Sequence, residues 1–231
     1  MTVNPWPVVT SPADRIRAAN AARPRSDYVF VNPGWNVVLT LLTCGIFGLF
    51  LLYQLMRRDR DHIRRRYDLL DAANTLAWQL ANERGLAEEL RPAFERNAVS
   101  LATLHRLTTE FRDPVIWLVL GLVGRTIAEA FAFVLIDQDL DDHDRAEGAI
   151  EAELAVVYGR LGAPLPVPDP TRIKGRHNYV GRVVATVLTC GIYQLWWLYD
   201  VQAEGNRHLG VNWAWDDALV RAVDELTPAA S

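Results

Sequence analysis

Apolar and charged residues are segregated along the chain. Residues 35–56 carry no charge, residues 114–136 are interrupted only at Arg125 and Glu129, and residues 183–199 are again uncharged. A helix of about 20 apolar residues spans the roughly 30 Å hydrocarbon core of a bilayer. The pattern therefore predicts an all-α integral membrane protein with about three transmembrane helices, at 35–56, 114–136 and 176–201. Trp35 and Tyr53 bracket the first run, and Trp196, Trp197 and Tyr199 close the third, as amphipathic rings do at headgroup level. The arginine-rich run 57–66 follows the first span, which by the positive-inside rule puts that end in the cytoplasm. Arg182, near the start of the third span, is expected to snorkel to the interface. The predicted location is the bacterial cytoplasmic (inner) membrane, crossed several times.

The segments between the spans read as helices of a different kind. Residues 1–34 hold Pro5, Pro7 and Pro12 and read as a partly disordered segment with one short helix to about Ala22, begun by Ser11, Pro12 and Asp14. In residues 57–113, Leu69, Ala73, Leu76 and Leu80 recur in steps of four and three, a coiled-coil seam. Gly85 breaks it, Pro92 fits the first turn of a returning helix, and Leu90, Phe94, Leu101, Leu104 and Phe111 continue it. This predicts a cytoplasmic helical hairpin, whose seam could also pair two copies. Residues 137–162 read as an amphipathic helix, 163–175 as a proline-rich linker, and 202–231 as an amphipathic segment at the membrane surface.

Two distant stretches match without a gap, 37–53 and 183–199. Thr40, Thr43, Cys44, Gly45 and Tyr53 recur as Thr186, Thr189, Cys190, Gly191 and Tyr199, and His62 recurs as His208. Thr40, Cys44 and Gly48 form a small-residue stripe of the kind that lets membrane helices approach closely, with Gln194 in the glycine's place in the second copy. Gly45 and Gly191 permit a kink, with threonine hydroxyls covering the released carbonyls. The pattern T-C-G-I-[FY]-x-x-[FW]-x-x-Y, carried by Thr43–Tyr53 and by Thr189–Tyr199 with Tyr193 included, resembles the bacterial integral-membrane domain of unknown function 4234. The resemblance implies a membrane helix followed by another apolar helix, and it implies no activity. If all three spans cross, the copies run parallel. If the middle one only lies on the membrane, they form an inverted pair of the kind transporters use.

Charge and composition add exclusions. The net charge is −4, which gives no reason to expect nucleic acid as a partner. Cys44 and Cys190 are the two cysteines, both inside the matched stretches, and are read as packing residues. Arg125 and Glu129 stand four apart, so they share a helix face and can pair within the membrane. The carboxylates of 137–144 fail the calcium-loop template, because Asp142 and Gly148 fall where its glycine and glutamate belong. A solvated helix is the expectation there, with no metal and no cofactor anywhere, and no catalytic signature is found. The function expected is a non-enzymatic scaffold or accessory subunit, with the lipid bilayer and a homo-oligomer or membrane-protein partner as its contacts. The alternative is a small transporter or channel component using the Arg125–Glu129 pair.

Overall fold

The computed structural model describes residues 11–110, 113–169 and 177–227, with Arg125 described by its backbone alone. The predicted linker lies partly outside these residues, and Phe111 wholly so. Eight helices are described: α1 (Pro12–Ala21), α2 (Arg23–Ser26), α3 (Pro33–Leu42), α4 (Ile46–Glu83), α5 (Ala87–Thr109), α6 (Pro114–Arg160), α7 (Tyr179–Leu188) and α8 (Ile192–Leu226). The protein is all-α, as the periodicity predicts.

Local chemistry sets the boundaries. The Ser11 hydroxyl accepts from Asp14 N at 3.1 Å and starts α1 with Pro12. Asn32 and Asn178 accept from Trp35 N and Gly181 N, both at 2.9 Å, and cap α3 and α7. Asp113 caps α6 through Val115 N and Ile116 N. Gly85, at φ +71°, turns α4 back into α5, and Gly162, at φ +91°, ends α6. Pro92 lies inside α5 rather than in its first turn, because that helix already begins at Ala87.

The long helices run on where the sequence suggested separate segments. α6 is one helix of 47 residues, joining the middle apolar stretch to the amphipathic helix expected at 137–162. α8 likewise absorbs the C-terminal segment, whose Trp215, Leu219 and Val223 are buried in the body rather than lying at a membrane surface. The expected seam is buried: Leu69, Ala73, Leu76 and Leu80 of α4 meet Leu90, Phe94, Leu101 and Leu104 of α5. The hairpin does not stand alone, however. Ile150, Leu154 and Val157 of α6 and Ile16 of α1 complete the same core.

The three predicted crossings are not found. Among the described residues no helix is long and apolar enough to cross a membrane, which overturns the multi-pass assignment. The physical reasons differ by segment. The first and third uncharged runs are each broken at their T-C-G tripeptide, leaving α3 and α7 at 10 residues apiece. The apolar half of α6 is interrupted at Arg125 and Glu129 and continues directly into the acidic turns of 137–144.

Two apolar cores are separated by a polar layer. One, at the end nearer the T-C-G turns, holds Leu52, Leu55 and Met56 of α4, Phe133 and Ile136 of α6, and Trp197 and Val201 of α8. The other is the α1–α4–α5–α6–α8 core just described. Between them, buried, lie Arg58, His62, Arg65 and Arg66 of α4, Asp139, His143, Glu147 and Glu151 of α6, and Glu204, His208, Asn212 and Asp216 of α8. The run 57–66 is therefore not a cytoplasmic flank: three of its arginines are interior partners of carboxylates or backbone oxygens.

Candidate functional site

The matched stretches fold alike. After α3, Thr43 N donates to Leu39 O at 3.0 Å and Gly45 N to Thr40 O at 2.8 Å; after α7, Thr189 N donates to Ala185 O and Gly191 N to Thr186 O at the same distances. These bonds close a left-handed helix cap and send the chain back on itself. Cys44 and Cys190 adopt φ 50° and 49°, and Gly45 and Gly191 φ 90° and 91°. Thr43 Oγ1 donates to Leu39 O at 2.8 Å and accepts Phe47 N at 3.0 Å; Thr189 Oγ1 donates to Ala185 O at 2.7 Å and accepts Tyr193 N at 2.9 Å. Thr40 and Thr186 bond back to Asn36 O and Arg182 O. The recurring threonines thus satisfy the backbone of a hairpin between two helices.

This corrects the packing motif. The Thr40–Cys44–Gly48 stripe does not lie along one straight helix. Thr40 of α3 faces Gly48 of α4 across the turn, where a Cβ on Gly48 would sit 3.1 Å from Thr40 Cγ2. Cys44 and Cys190 are exposed at the tips, not buried packing residues, and form no disulfide. Tyr53 and Tyr193 are half-buried and Tyr199 is exposed. Thr40, Cys44, Gly45, Gly48, Glu129, Cys190 and Gly191 together line a cavity of about 330 Å³ between the two turns and α6. Thr43, Tyr53, Thr186, Thr189, Tyr193 and Tyr199 lie outside it. Glu129 accepts from Gln194 Nε2 at 2.6 Å within this cavity, and the expected pair with Arg125 lies outside the described residues, since that side chain is not among them.

Around the cavity the surface is apolar. Leu41, Leu42 and Ile46 of the first turn, Leu122, Val123, Ile127 and Phe131 of α6, and Val180, Val187, Leu188 and Ile192 around the second turn are exposed. An apolar groove of about 620 Å³ runs between α6 and α7.

The polar layer holds the densest chemistry. Arg66 of α4 is fully buried and pairs with Glu147 and Glu151 of α6 and Asp216 of α8. Burial alone would lower its affinity for a proton, but the three carboxylates reverse this and raise it. Arg65 binds Asp27 at 2.8 Å and Asp216 at 2.7 Å. Burial also acts to raise the Asp27 carboxyl, yet His62, Arg65 and the Trp213 N–H hold it well below the usual range. Burial lowers His62 to about 3 despite Asp27 beside it. The rings of His62, His143 and His208 stack edge to face, with centroids 5.1 to 5.5 Å apart. A cavity of about 30 Å³ adjoins them. Nearer the apolar end, Arg182 is buried between Asp137 at 2.9 Å and Asp200 at 2.7 Å, rather than at an interface. Its guanidinium lies over the Trp196 and Trp197 rings.

Sequence reasoning missed most of this layer. Asp137, Asp139 and Asp141 are buried rather than on a solvated helix. The spacing His143-x-x-x-Glu147 puts both on one face of α6, and His62 and His208 sit at equal offsets from Gly45 and Gly191. Those two signals pointed to the layer, whereas nothing local marks Asp27 or Asn212. No family model, curated protein or solved structure matches the chain.

Proposed function

We propose that the chain is a non-enzymatic interaction protein that seats its apolar end in a lipid surface, entering one leaflet without crossing it. The α4–α5–α6 body would then stand clear of the lipid and present its charged faces to a protein partner. The observation that carries this reading is the self-sufficiency of the two T-C-G turns. Lipid offers no hydrogen bonds, so backbone groups placed in it must be satisfied internally. At both tips the threonine hydroxyls and the cap bonds do so, while the side chains turned outward include leucine, isoleucine, valine and the two cysteines.

Dimensions agree. α3 and α7, at 10 residues each, are about 15 Å long, half of a roughly 30 Å hydrocarbon core. Trp35 and Trp196, both exposed, fit the headgroup boundary. Glu129 is turned inward to Gln194, away from the apolar surface. The test is flotation of the full chain with vesicles of phosphatidylcholine and phosphatidylglycerol. Leu42→Glu with Leu188→Glu should lower the floated fraction at least tenfold, since a buried acid costs about 2.5–3.5 kcal/mol at bilayer depth. Equal flotation of the variant and the parent would refute lipid seating.

A further inference from the structure

We propose that His62, His143, Glu147 and His208 form a binding site for one divalent first-row transition ion, of which zinc is the reference case. All four side chains are buried, and one ligand atom from each lies within 4.8 Å of the others. They come from three helices, so an ion there would join α4, α6 and α8 in the middle of the polar layer.

The case begins with lone pairs. His62 Nδ1 lies 3.0 Å from Asp27 Oδ1, which requires the proton on Nδ1, so that in the neutral ring Nε2 is the acceptor. That Nε2 faces His208 Nε2 at 3.3 Å. His208 Nε2 in turn lies 3.0 Å from the Asn212 amide nitrogen, a donor, so it is unprotonated, and an ion would take that lone pair in place of the Asn212 N–H. It also lies 3.4 Å from Glu147 Oε2. The third ring, His143, is 1% exposed; its Nδ1 makes no hydrogen bond, and its Nε2 lies 3.1 Å from Glu147 Oε1, within hydrogen-bond reach. Three imidazole nitrogens and one carboxylate oxygen thus converge on one point, where a single cation could bind all four; a shared proton joins only two atoms.

The spacings suit a metal. Zinc bonds of about 2.0–2.2 Å to nitrogen and oxygen, arranged tetrahedrally, place neighbouring ligand atoms about 3.3–3.5 Å apart. The His62 Nε2–His208 Nε2 separation of 3.3 Å equals that edge length, the carboxylate of Glu147 approaches His143 Nε2 through Oε1 at 3.1 Å and His208 Nε2 through Oε2 at 3.4 Å, and one ligand atom from each residue lies within 4.8 Å of the others. The surroundings supply what ligand histidines and carboxylates normally have. Asp27 orients His62, Asp144 Oδ1 stands 3.4 Å from His208 Nδ1, and Asn212 and Arg66 both bind Glu147. With three histidines and one carboxylate the set is complete for four-coordination, which is the form of a structural rather than a catalytic site.

The site also explains why His62 and His208 recur. Each stands at the same offset from its T-C-G turn, so the two hairpins bring equivalent histidines together across α4 and α8.

The experiment uses the full chain, stripped with a chelator and titrated with Zn²⁺ against a competing indicator, and with Co²⁺ followed by visible absorption. The expected result is one ion per chain and a Co²⁺ spectrum of four-coordinate character. His62→Gln and His208→Gln should each weaken Zn²⁺ binding at least 100-fold, and Asp27→Asn about 10–100-fold as a lost outer hydrogen bond does. His105→Gln, distant from the cluster, should change nothing. Absence of stoichiometric binding overturns the site. So does binding that survives His208→Gln and is abolished by His177→Gln, which would place the ion at His177, Asp200 and Glu204 instead. If the histidine variants fail to fold, X-ray absorption of the Zn²⁺-loaded parent decides: three imidazoles support the site, and one or none overturns it.

Discussion

Arg66→Met is the sharpest test of how the polar layer is held. Arg66 is fully buried, and its guanidinium is shared among Glu147, Glu151 and Asp216 while lying 5.6 Å from the Trp215 ring centroid. Methionine fills much of the volume, so the cavity contribution is small and the electrostatic one dominates. Removing one partner of a buried pair costs about 3–5 kcal/mol, because the charge left behind has lost both water and counterion. Here three carboxylates lose one cation, and Arg65 still binds only one of them, Asp216 at 2.7 Å. The upper end of the range applies, against a total stability of about 5–15 kcal/mol. For a chain of this size each kcal/mol moves the Tm by about 2–4 °C, which gives a fall on the order of 10 °C or more. The assay is thermal unfolding followed by circular dichroism with chelator present, so that ion binding does not contribute. Arg66→Lys should fall between, since a single ammonium cannot reproduce the fork. A Tm within about 3 °C of the parent, at most about 1.5 kcal/mol by the same conversion, would refute the claim that this guanidinium holds the layer together.

Two further expectations follow from the backbone and from burial. Cys44→Gly and Cys190→Gly should each stabilise by up to about 1 kcal/mol, because both positions sit at positive φ, where a Cβ is strained; calorimetry of the double variant checks this, and a lower Tm would contradict it. Asp137 is held at about 7: burial raises it, with Asp200 and Glu204 adding to the rise, and the Arg182 guanidinium and the Trp197 N–H only partly oppose it. Its folded value lies above its unfolded value of about 3.9, so its contribution is fully present below pH 4 and is lost as pH rises through 7. Unfolding midpoints measured from pH 4 to 8 should therefore decline less in Asp137→Asn than in the parent, and parallel curves would contradict the assignment.

Much of the fold is legible in the sequence because periodicity reports which face is buried. The steps from Leu69 to Leu80 and the break at Gly85 give the α4–α5 hairpin directly. The Ser11–Pro12 start gives α1 almost to the residue. What periodicity does not report is how far an uncharged run stays straight. Thr43-Cys-Gly45 reads equally well as a kink within one helix or as a hairpin between two, and only the positive φ at Cys44 and Gly45 decides for the hairpin. The polar layer was hidden for a related reason. A charge is ordinarily assigned to solvent, and Arg65, Arg66 and Asp137 lie inside because partners on remote segments neutralise them. Those partners are brought together by the two hairpins, whose geometry no single segment announces.

The spacing along α8 has a mechanical consequence. Asp200, Glu204, His208, Asn212 and Asp216 stand one helical turn apart, all buried. Smooth apolar helices of 38, 47 and 35 residues can slide past one another by a turn with little loss, since leucine replaces leucine. Here a slip of one turn would bring Glu204 to the place of His208, against Glu147, and set carboxylate against carboxylate in a medium without water. The layer therefore acts as a vernier: it lets the greasy cores be approximate while allowing the three long rods only one alignment.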